Sequence, residues 1–205
     1  MTRSLLILSV LLLHACASVP VGETADTGSD EASTENRDRE NFESWCASDI
    51  QPPCRKNVAF TLILDEEGNE KSFHFDLLPP PLQGNDTISI IPGETLFVSG
   101  DFVGGKLILP EVAYERPADA YYLEFSFKQE AGKPDMLLVV NNTYDKSMKY
   151  RIVMMGPESE QMFKTSSCPV IANGAAYEHW PHPIFQLLVL EVRELNESEG
   201  MICVW

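Results

Sequence analysis

The chain has 205 residues, with 15 lysines and arginines against 31 aspartates and glutamates, which gives a formal net charge of -16. Hydrophobic residues make up 44% of the chain, so its composition is that of a folded protein and not of a disordered one. The length predicts one domain with appendages. The acidic balance argues against a protein that binds nucleic acid through its phosphates.

The N-terminal residues have the organisation of an export signal. Arg3 supplies a positive charge, and the apolar run over residues 5–13 is far short of the roughly 20 residues that a membrane-spanning helix needs. Residues 13–16, Leu-His-Ala-Cys, resemble the lipobox of bacterial lipoproteins, in which the cysteine is diacylated and becomes the new N-terminus. The resemblance implies a signal peptide over residues 1–15 and a lipidated Cys16.

A second interpretation of the same residues stays open. Ala15, Cys16 and Ala17 also fit an A-x-A cleavage site, which would remove Cys16 and leave a secreted protein. Both interpretations put the mature chain outside the cytoplasm. In the lipoprotein, Ala17 stands where enterobacterial sorting uses an aspartate for inner-membrane retention. The resemblance therefore implies an outer-membrane lipoprotein that faces the periplasm, with the membrane as a partner through the lipid anchor.

Residues 16–44 are predicted to be the lipidated N-terminus followed by a flexible acidic linker. Within residues 23–43, eight acidic residues stand against two arginines, and no helical or strand period is visible. Charge repulsion extends such a segment. We expect it to hold a single folded domain, residues 45–205, away from the membrane surface.

The cysteines predict two disulfides. Besides Cys16, the chain contains an even number of them, as expected in an oxidising compartment: Cys46, Cys54, Cys168 and Cys203. Of the three pairings that four cysteines allow, we predict Cys46 with Cys54, which closes a short loop, and Cys168 with Cys203, which ties the last strand back to an earlier segment. The spacings disfavour a redox pair or a zinc site.

The predicted domain is all-β, because its hydrophobic pattern has a period of two. Every second residue from Phe73 to Leu77 is apolar, and the same holds from Tyr121 to Phe127. Strands are predicted over residues 58–64, 71–78, 87–91, 95–98, 106–109, 121–128, 136–140, 149–154, 184–193 and 201–205.

Turn signals separate these strands and suggest how they are arranged. Residues 65–69 suit a hairpin loop, and three prolines at 79–81 forbid a central strand. The acidic residues around the hairpin, Asp65, Glu66, Glu67 and Glu70, resemble a calcium corner, although a hydrated hairpin tip is the preferred interpretation. Short strands without an amphipathic helix predict an antiparallel two-sheet sandwich of immunoglobulin-like kind, with a β-barrel as the alternative.

Catalytic motifs are missing from the sequence. It contains no G-x-S-x-G, no HExxH, no phosphate-binding glycine loop and no dinucleotide fingerprint. We therefore predict no catalytic residue, no metal and no cofactor, and a non-catalytic binding or assembly module whose partner is an envelope protein or a glycan. The alternative is an envelope hydrolase that acts on a glycan or peptide, because distant residues can assemble a serine triad or a carboxylate pair.

One segment, residues 177–183, is predicted to be a proline-rich loop that contacts any ligand. Tyr177 and Trp180 would offer flat faces to a sugar or peptide, and Glu178, His179 and His182 are candidate metal ligands. The preferred alternative is that Trp180 packs over the open end of the sandwich while the histidines remain solvated.

Overall fold

The computed structural model describes residues 39–48, 50, 52–118, 120–159, 161–196 and 198–203. The signal segment, Cys16 and most of the predicted linker lie outside these residues. Residues 39–46 form a short helix that the sequence did not predict, in which the rings of Phe42 and Trp45 lie 5.9 Å apart. No helix in the described ranges is long and apolar enough to cross a bilayer.

In the described part of the chain, twelve strands follow this helix, and all of their pairings are antiparallel. They are β1 (Arg55–Ile63), β2 (Glu70–Leu78), β3 (Leu82–Gln83), β4 (Thr87–Ile90), β5 (Thr95–Val103), β6 (Lys106–Ala113), β7 (Leu123–Gln129), β8 (Met136–Asn142), β9 (Met148–Met155), β10 (Met162–Thr165), β11 (Ala175–Trp180) and β12 (Gln186–Glu194).

The strands form a sandwich-like arrangement. Ten of them belong to one hydrogen-bonded path in the order β10-β9-β12-β6-β5-β7-β8-β11, with β4 on β12 and β3 on β4. The strand path passes from one layer to the other between β12 and β6, whose register consists of the pair Arg193 and Lys106. The two resulting layers face each other, as shown by the edge-to-face contact of Phe125 in β7 with Tyr150 in β9, whose rings lie 5.8 Å apart.

The core lies between these layers and follows the predicted alternation. Leu123, Phe125 and Phe127 of β7 are fully buried, and so are Leu138 and Val140 of β8. Side chains from β4, β9 and β12 close the core from the other layer. Burial of this apolar surface is the main force that holds the two layers together.

The β1–β2 hairpin is a separate two-stranded sheet that contributes Leu62 to the core and makes buried and half-buried polar contacts with the sandwich. The Arg55 guanidinium donates to both carboxylate oxygens of Glu94, at 2.5 and 2.8 Å, and to the backbone oxygen of Ser89 at 2.6 Å. The Gln129 side chain, at the end of β7, makes two hydrogen bonds of 2.8 Å to the backbone of Ile63. These contacts fix the hairpin against the layers.

The structure confirms the all-β, antiparallel sandwich. The alternative of a closed barrel is not realised, because β10 and β11 end the strand path and do not pair with each other in the described part of the chain. Both predicted disulfides are present, Cys46 with Cys54 and Cys168 with Cys203. The predicted hairpin loop at residues 65–69 connects β1 to β2.

One predicted strand and one predicted loop were wrong. Residues 201–203 form no strand, because the Cys203 bridge holds this segment to Cys168 and not to a sheet edge, and residues 204–205 lie outside the described ranges. Conversely, the first part of the predicted 177–183 loop belongs to strand β11, which pairs with β8 residue by residue from Ala175 to Trp180.

Candidate functional site

One concave site on the described surface is a groove of about 420 Å³ beside the β5–β6 hairpin. Two tyrosines, Tyr121 and Tyr144, and two carboxylates, Asp101 and Glu111, line it together with Ile108. Its volume falls within the range of about 300–1,000 Å³ that small-ligand sites occupy. We refer to it below as the tyrosine groove.

A β-bulge shapes the floor of the tyrosine groove. The register between β5 and β6 shifts between Ser99 and Asp101, and Gly100 there has a φ of 150°. A Cβ at Gly100 would lie 3.0 Å from the Leu107 side chain and 3.4 Å from the backbone oxygen of Ile108. The positive φ and these tight contacts together favour glycine at this position, and a bulge of this kind bends the strand that carries it.

Hydrogen bonds between two loops hold the tyrosines in place. The Thr143 hydroxyl accepts from the backbone N–H of Tyr122 at 2.7 Å and donates to the Tyr122 carbonyl at 2.9 Å. The buried Asn142 side chain accepts from the N–H of Tyr144 at 2.9 Å and donates to two backbone oxygens in neighbouring loops. The residues next to Tyr121 and the backbone of Tyr144 are thus fixed before any ligand arrives.

The two rings form an aromatic surface that is open to solvent on one side. Tyr121 is 63% exposed, and its ring lies 5.8 Å from that of Tyr144, with an angle of 31° between their planes. Phe102 supports Tyr144 from behind through an edge-to-face contact at 5.3 Å. Such a surface presents flat apolar faces with a polar hydroxyl at the rim.

The Tyr144 hydroxyl remains a proton donor at any physiological pH. Burial raises the pKa of Tyr144, a hydrogen bond to the backbone of Gly100 lowers it, and the carboxylate of Asp101 raises it further. The groove therefore combines hydroxyl donors with carboxylate acceptors, a set that recognises hydroxyl, amide or ammonium groups. The carboxylates disfavour anionic ligands.

The structure divides the predicted contact residues of the 177–183 segment between the two faces of β11. Ala176, Glu178 and Trp180 point inward, and Tyr177 and His179 point outward. Trp180 is 6% exposed, its indole N–H donates to the Thr165 hydroxyl at 2.8 Å, and its ring contacts Phe127. Its ring face is therefore not available to a sugar or peptide, as the alternative interpretation of the sequence expected.

Glu178 and the two histidines do not form one ligand set. The Glu178 carboxylate is buried and accepts the backbone N–H of Cys168 at 2.5 Å; burial raises the pKa of this carboxyl, and that hydrogen bond lowers it. His179, on the other face, lies 3.2 Å from Asp135. His182 is exposed and belongs to no group of three ligating side chains among the described residues. Ligand contact by Tyr177, His179 and His182 stays a prediction.

The acidic hairpin tip has an internal role. The Asp65 carboxylate accepts the backbone N–H of Asn69 at 3.0 Å and its side-chain amide at 2.6 Å. These two hydrogen bonds lower the pKa of Asp65. Among the described residues, Asp65, Glu66, Glu67 and Glu70 form no cluster of converging ligand atoms. The geometry is that of a turn stabilised by its own side chains.

The tyrosine groove was missed by sequence reasoning. The period of two placed Tyr121 on the same face as the buried residues of β7, but β7 begins only at Leu123, so Tyr121 belongs to the preceding loop. Tyr144 stood in a predicted loop without any motif around it. Gly100 lies at the β-bulge that borders the groove, but a lone glycine indicates a close approach of the backbone and does not identify a ligand site.

Comparisons with known proteins identify no relative of this chain: no protein-family model, no curated protein and no solved structure matches it.

Proposed function

We propose that this chain is a non-catalytic binding or assembly module of the bacterial envelope, tethered by a lipidated Cys16 to the outer membrane and facing the periplasm. The observation that carries the binding function is the tyrosine groove, in which hydrogen bonds fix the backbone beside Tyr121 and at Tyr144 while the paired rings stay open to solvent on one side. A site that is ordered before binding loses little conformational entropy when its partner docks.

Two independent features support a location outside the cytoplasm. The first is the N-terminal sequence, with its charged start, short apolar run and lipobox-like residues 13–16. The second is the pair of disulfides, because such bridges persist in oxidising compartments and are rare in the cytosol. The acidic segment between Cys16 and the domain would give the module reach above the membrane surface.

The chemistry of the groove suits an uncharged or cationic partner. The Tyr121 and Tyr144 rings would pack against the apolar face of a sugar or a side chain, and the Asp101 and Glu111 carboxylates would accept hydrogen bonds from hydroxyl or ammonium groups. A glycan and a basic segment of an envelope protein both meet these requirements. The net charge of -16 disfavours strongly acidic partners.

The lining of the groove favours binding over catalysis. Its described residues include Ser99 but no histidine or lysine that would act as a general base beside it. Glycoside hydrolysis needs one carboxyl held protonated by burial, whereas Asp101 and Glu111 are both exposed. The alternative of an envelope hydrolase therefore gains no specific support from the groove.

Co-purification with groove variants tests the proposal. The full-length lipidated chain and its Tyr121→Ala and Tyr177→Ala variants would be crosslinked in cells, purified and analysed for bound protein, and assayed in parallel for binding to isolated envelope glycans. Both tyrosines are exposed, at 63% and 68%, so neither change should unfold the domain.

We expect Tyr121→Ala to reduce recovery of the partner at least about tenfold, and Tyr177→Ala to leave it nearly unchanged, because a single central aromatic side chain often carries this much binding energy. If only Tyr177→Ala reduces recovery of the partner, the binding site lies on β11, where the sequence predicted it. Equal binding by all three proteins would contradict the groove as the binding site.

A further inference from the structure

Three metal-ligating side chains converge at the far end of the β7–β8 hairpin from the tyrosine groove. Glu130 follows β7 directly and Asp135 precedes β8 directly, and the backbone N–H of Glu130 donates to the Asp135 carbonyl at 2.8 Å. His179 lies on the outer face of the neighbouring strand β11, opposite Leu137 of β8. The turn and the strand pairing together place the three side chains at one corner of the sheet.

The ligand atoms of Glu130, Asp135 and His179 all lie within 4.8 Å of one another. The His179 Nε2 atom is 3.2 Å from the Asp135 Oδ2 atom. Two ligands bound at about 2.1 Å to one tetrahedral ion are roughly 3.4 Å apart, so this pair already has the required spacing. The Glu130 ligand atom lies within 4.8 Å of both of the others and would supply the third ligand.

A cation already occupies part of this corner. The Lys133 ammonium lies 3.5 Å from the Glu130 carboxylate, in the turn between the two acidic ligands. The Lys133 side chain is 60% exposed, and exposed ion pairs contribute little free energy. A divalent ion, which meets two carboxylates at once, would displace it.

The donor set selects the class of ion. An imidazole nitrogen with two carboxylates is a ligand combination of zinc and neighbouring transition metals, whereas calcium and magnesium require oxygen ligands. The two carboxylates would neutralise a divalent charge. Because His179 is 48% exposed, the remaining coordination positions face solvent.

We propose that Glu130, Asp135 and His179 bind one divalent transition-metal ion of the zinc class. The site is separate from the tyrosine groove, since the two lie at opposite ends of strands that are about 20 Å long. Of the three candidate metal ligands that the sequence suggested, Glu178, His179 and His182, the proposed site contains only His179.

Titration of the full, disulfide-bridged chain with zinc chloride by isothermal calorimetry tests this proposal. We expect one equivalent to bind, and the His179→Ala and Asp135→Asn changes each to weaken binding at least about tenfold, because each removes one of three protein ligands. His74→Ala is the matched control: His74 also lies beside a carboxylate, 3.4 Å from Asp76, but no third ligating side chain among the described residues joins this pair. It should leave zinc binding unchanged, as should His182→Ala.

A fourth variant separates a lost site from a damaged fold. Lys133→Ala removes the competing ammonium and should tighten zinc binding a few-fold, an outcome that misfolding does not produce. An excess of calcium should not compete. The proposal is overturned if zinc fails to bind at concentrations up to about 100 μM, if His179→Ala binds as the unmodified chain does, or if His74→Ala causes the same loss.

Discussion

Trp180 and Tyr177 lie on opposite faces of β11 and differ in burial. The Trp180 indole is buried against Phe127 and hydrogen-bonded to Thr165, whereas Tyr177 on the opposite face of β11 is 68% exposed. Neighbouring aromatic residues therefore have different roles. Trp180 stabilises the contact between the layers, and Tyr177 is left for the surface.

Truncating the two side chains should separate these roles. We expect Trp180→Ala to lower the free energy of unfolding by about 3–5 kcal/mol, because it leaves a cavity in the core and an unpaired Thr165 hydroxyl. Tyr177→Ala should change it by less than about 0.5 kcal/mol, as is usual for exposed positions. Denaturant unfolding with both disulfides intact measures the two values. Near-equal stabilities would contradict the core position of Trp180.

Strand β11 shows why some elements could not be predicted. Its sequence alternates, but one of its inward residues is the ionisable Glu178, whose carboxylate accepts the Cys168 N–H from the segment that precedes β11. The short strand β10 (Met162–Thr165) buries only Thr165, so it carries no hydrophobic signal. By contrast, strands such as β7 bury every second side chain between two layers, and their pattern alone predicts them.

The same limit applies to the candidate sites. Tyr121 and Tyr144 lie close together because Thr143 links their two loops by hydrogen bonds. Asp135 lies close to His179 because β11 pairs with β8. Both juxtapositions depend on strand order, which periodicity does not specify. The disulfides were more predictable, because export and an even number of cysteines constrain them before the fold is known.

The end of β12 is held by an ion pair that should make stability depend on pH. Glu199 accepts two hydrogen bonds from the Arg193 guanidinium, at 2.5 and 2.7 Å. The pKa of Glu199 is lowered from 4.5 to about 2, mainly by these hydrogen bonds. The unfolded chain therefore binds this proton more tightly than the folded chain does. The stabilisation is complete above about pH 4.5 and is lost as the pH falls toward 2.

Comparison with Glu199→Gln measures this contribution. We expect the melting temperature of the unmodified chain to exceed that of the variant at pH 7, and the difference to shrink steadily as the pH is lowered through 4.5 toward 3, because protonation removes the charge that the variant lacks. The matched control is Glu158→Gln, since the Glu158 carboxylate is 73% exposed and lies 3.9 Å from Lys71. A difference that stays constant with pH would show that Glu199 is not the titrating group.

At the scale of the whole molecule, the described residues from 41 onward form one compact unit that contains both disulfides, the tyrosine groove and the proposed metal site. The proposed anchor, Cys16, precedes this unit by a strongly acidic segment of sequence. We expect charge repulsion to extend that segment, which would suit a protein that presents a binding surface at a distance from a membrane. Lipidation with several acyl chains would make the attachment stable, whereas one chain would give only marginal binding.

Mass spectrometry of the mature N-terminus, on full-length protein extracted from bacterial membranes, tests the tethered module most directly. The lipobox-like residues 13–16 predict a first residue of Cys16 that carries a diacylglyceryl group, and they predict that Cys16→Ser abolishes membrane attachment. A mature chain that begins at Ser18, or a Cys16→Ser protein that still partitions with the membranes, would contradict the lipid anchor and leave a secreted domain.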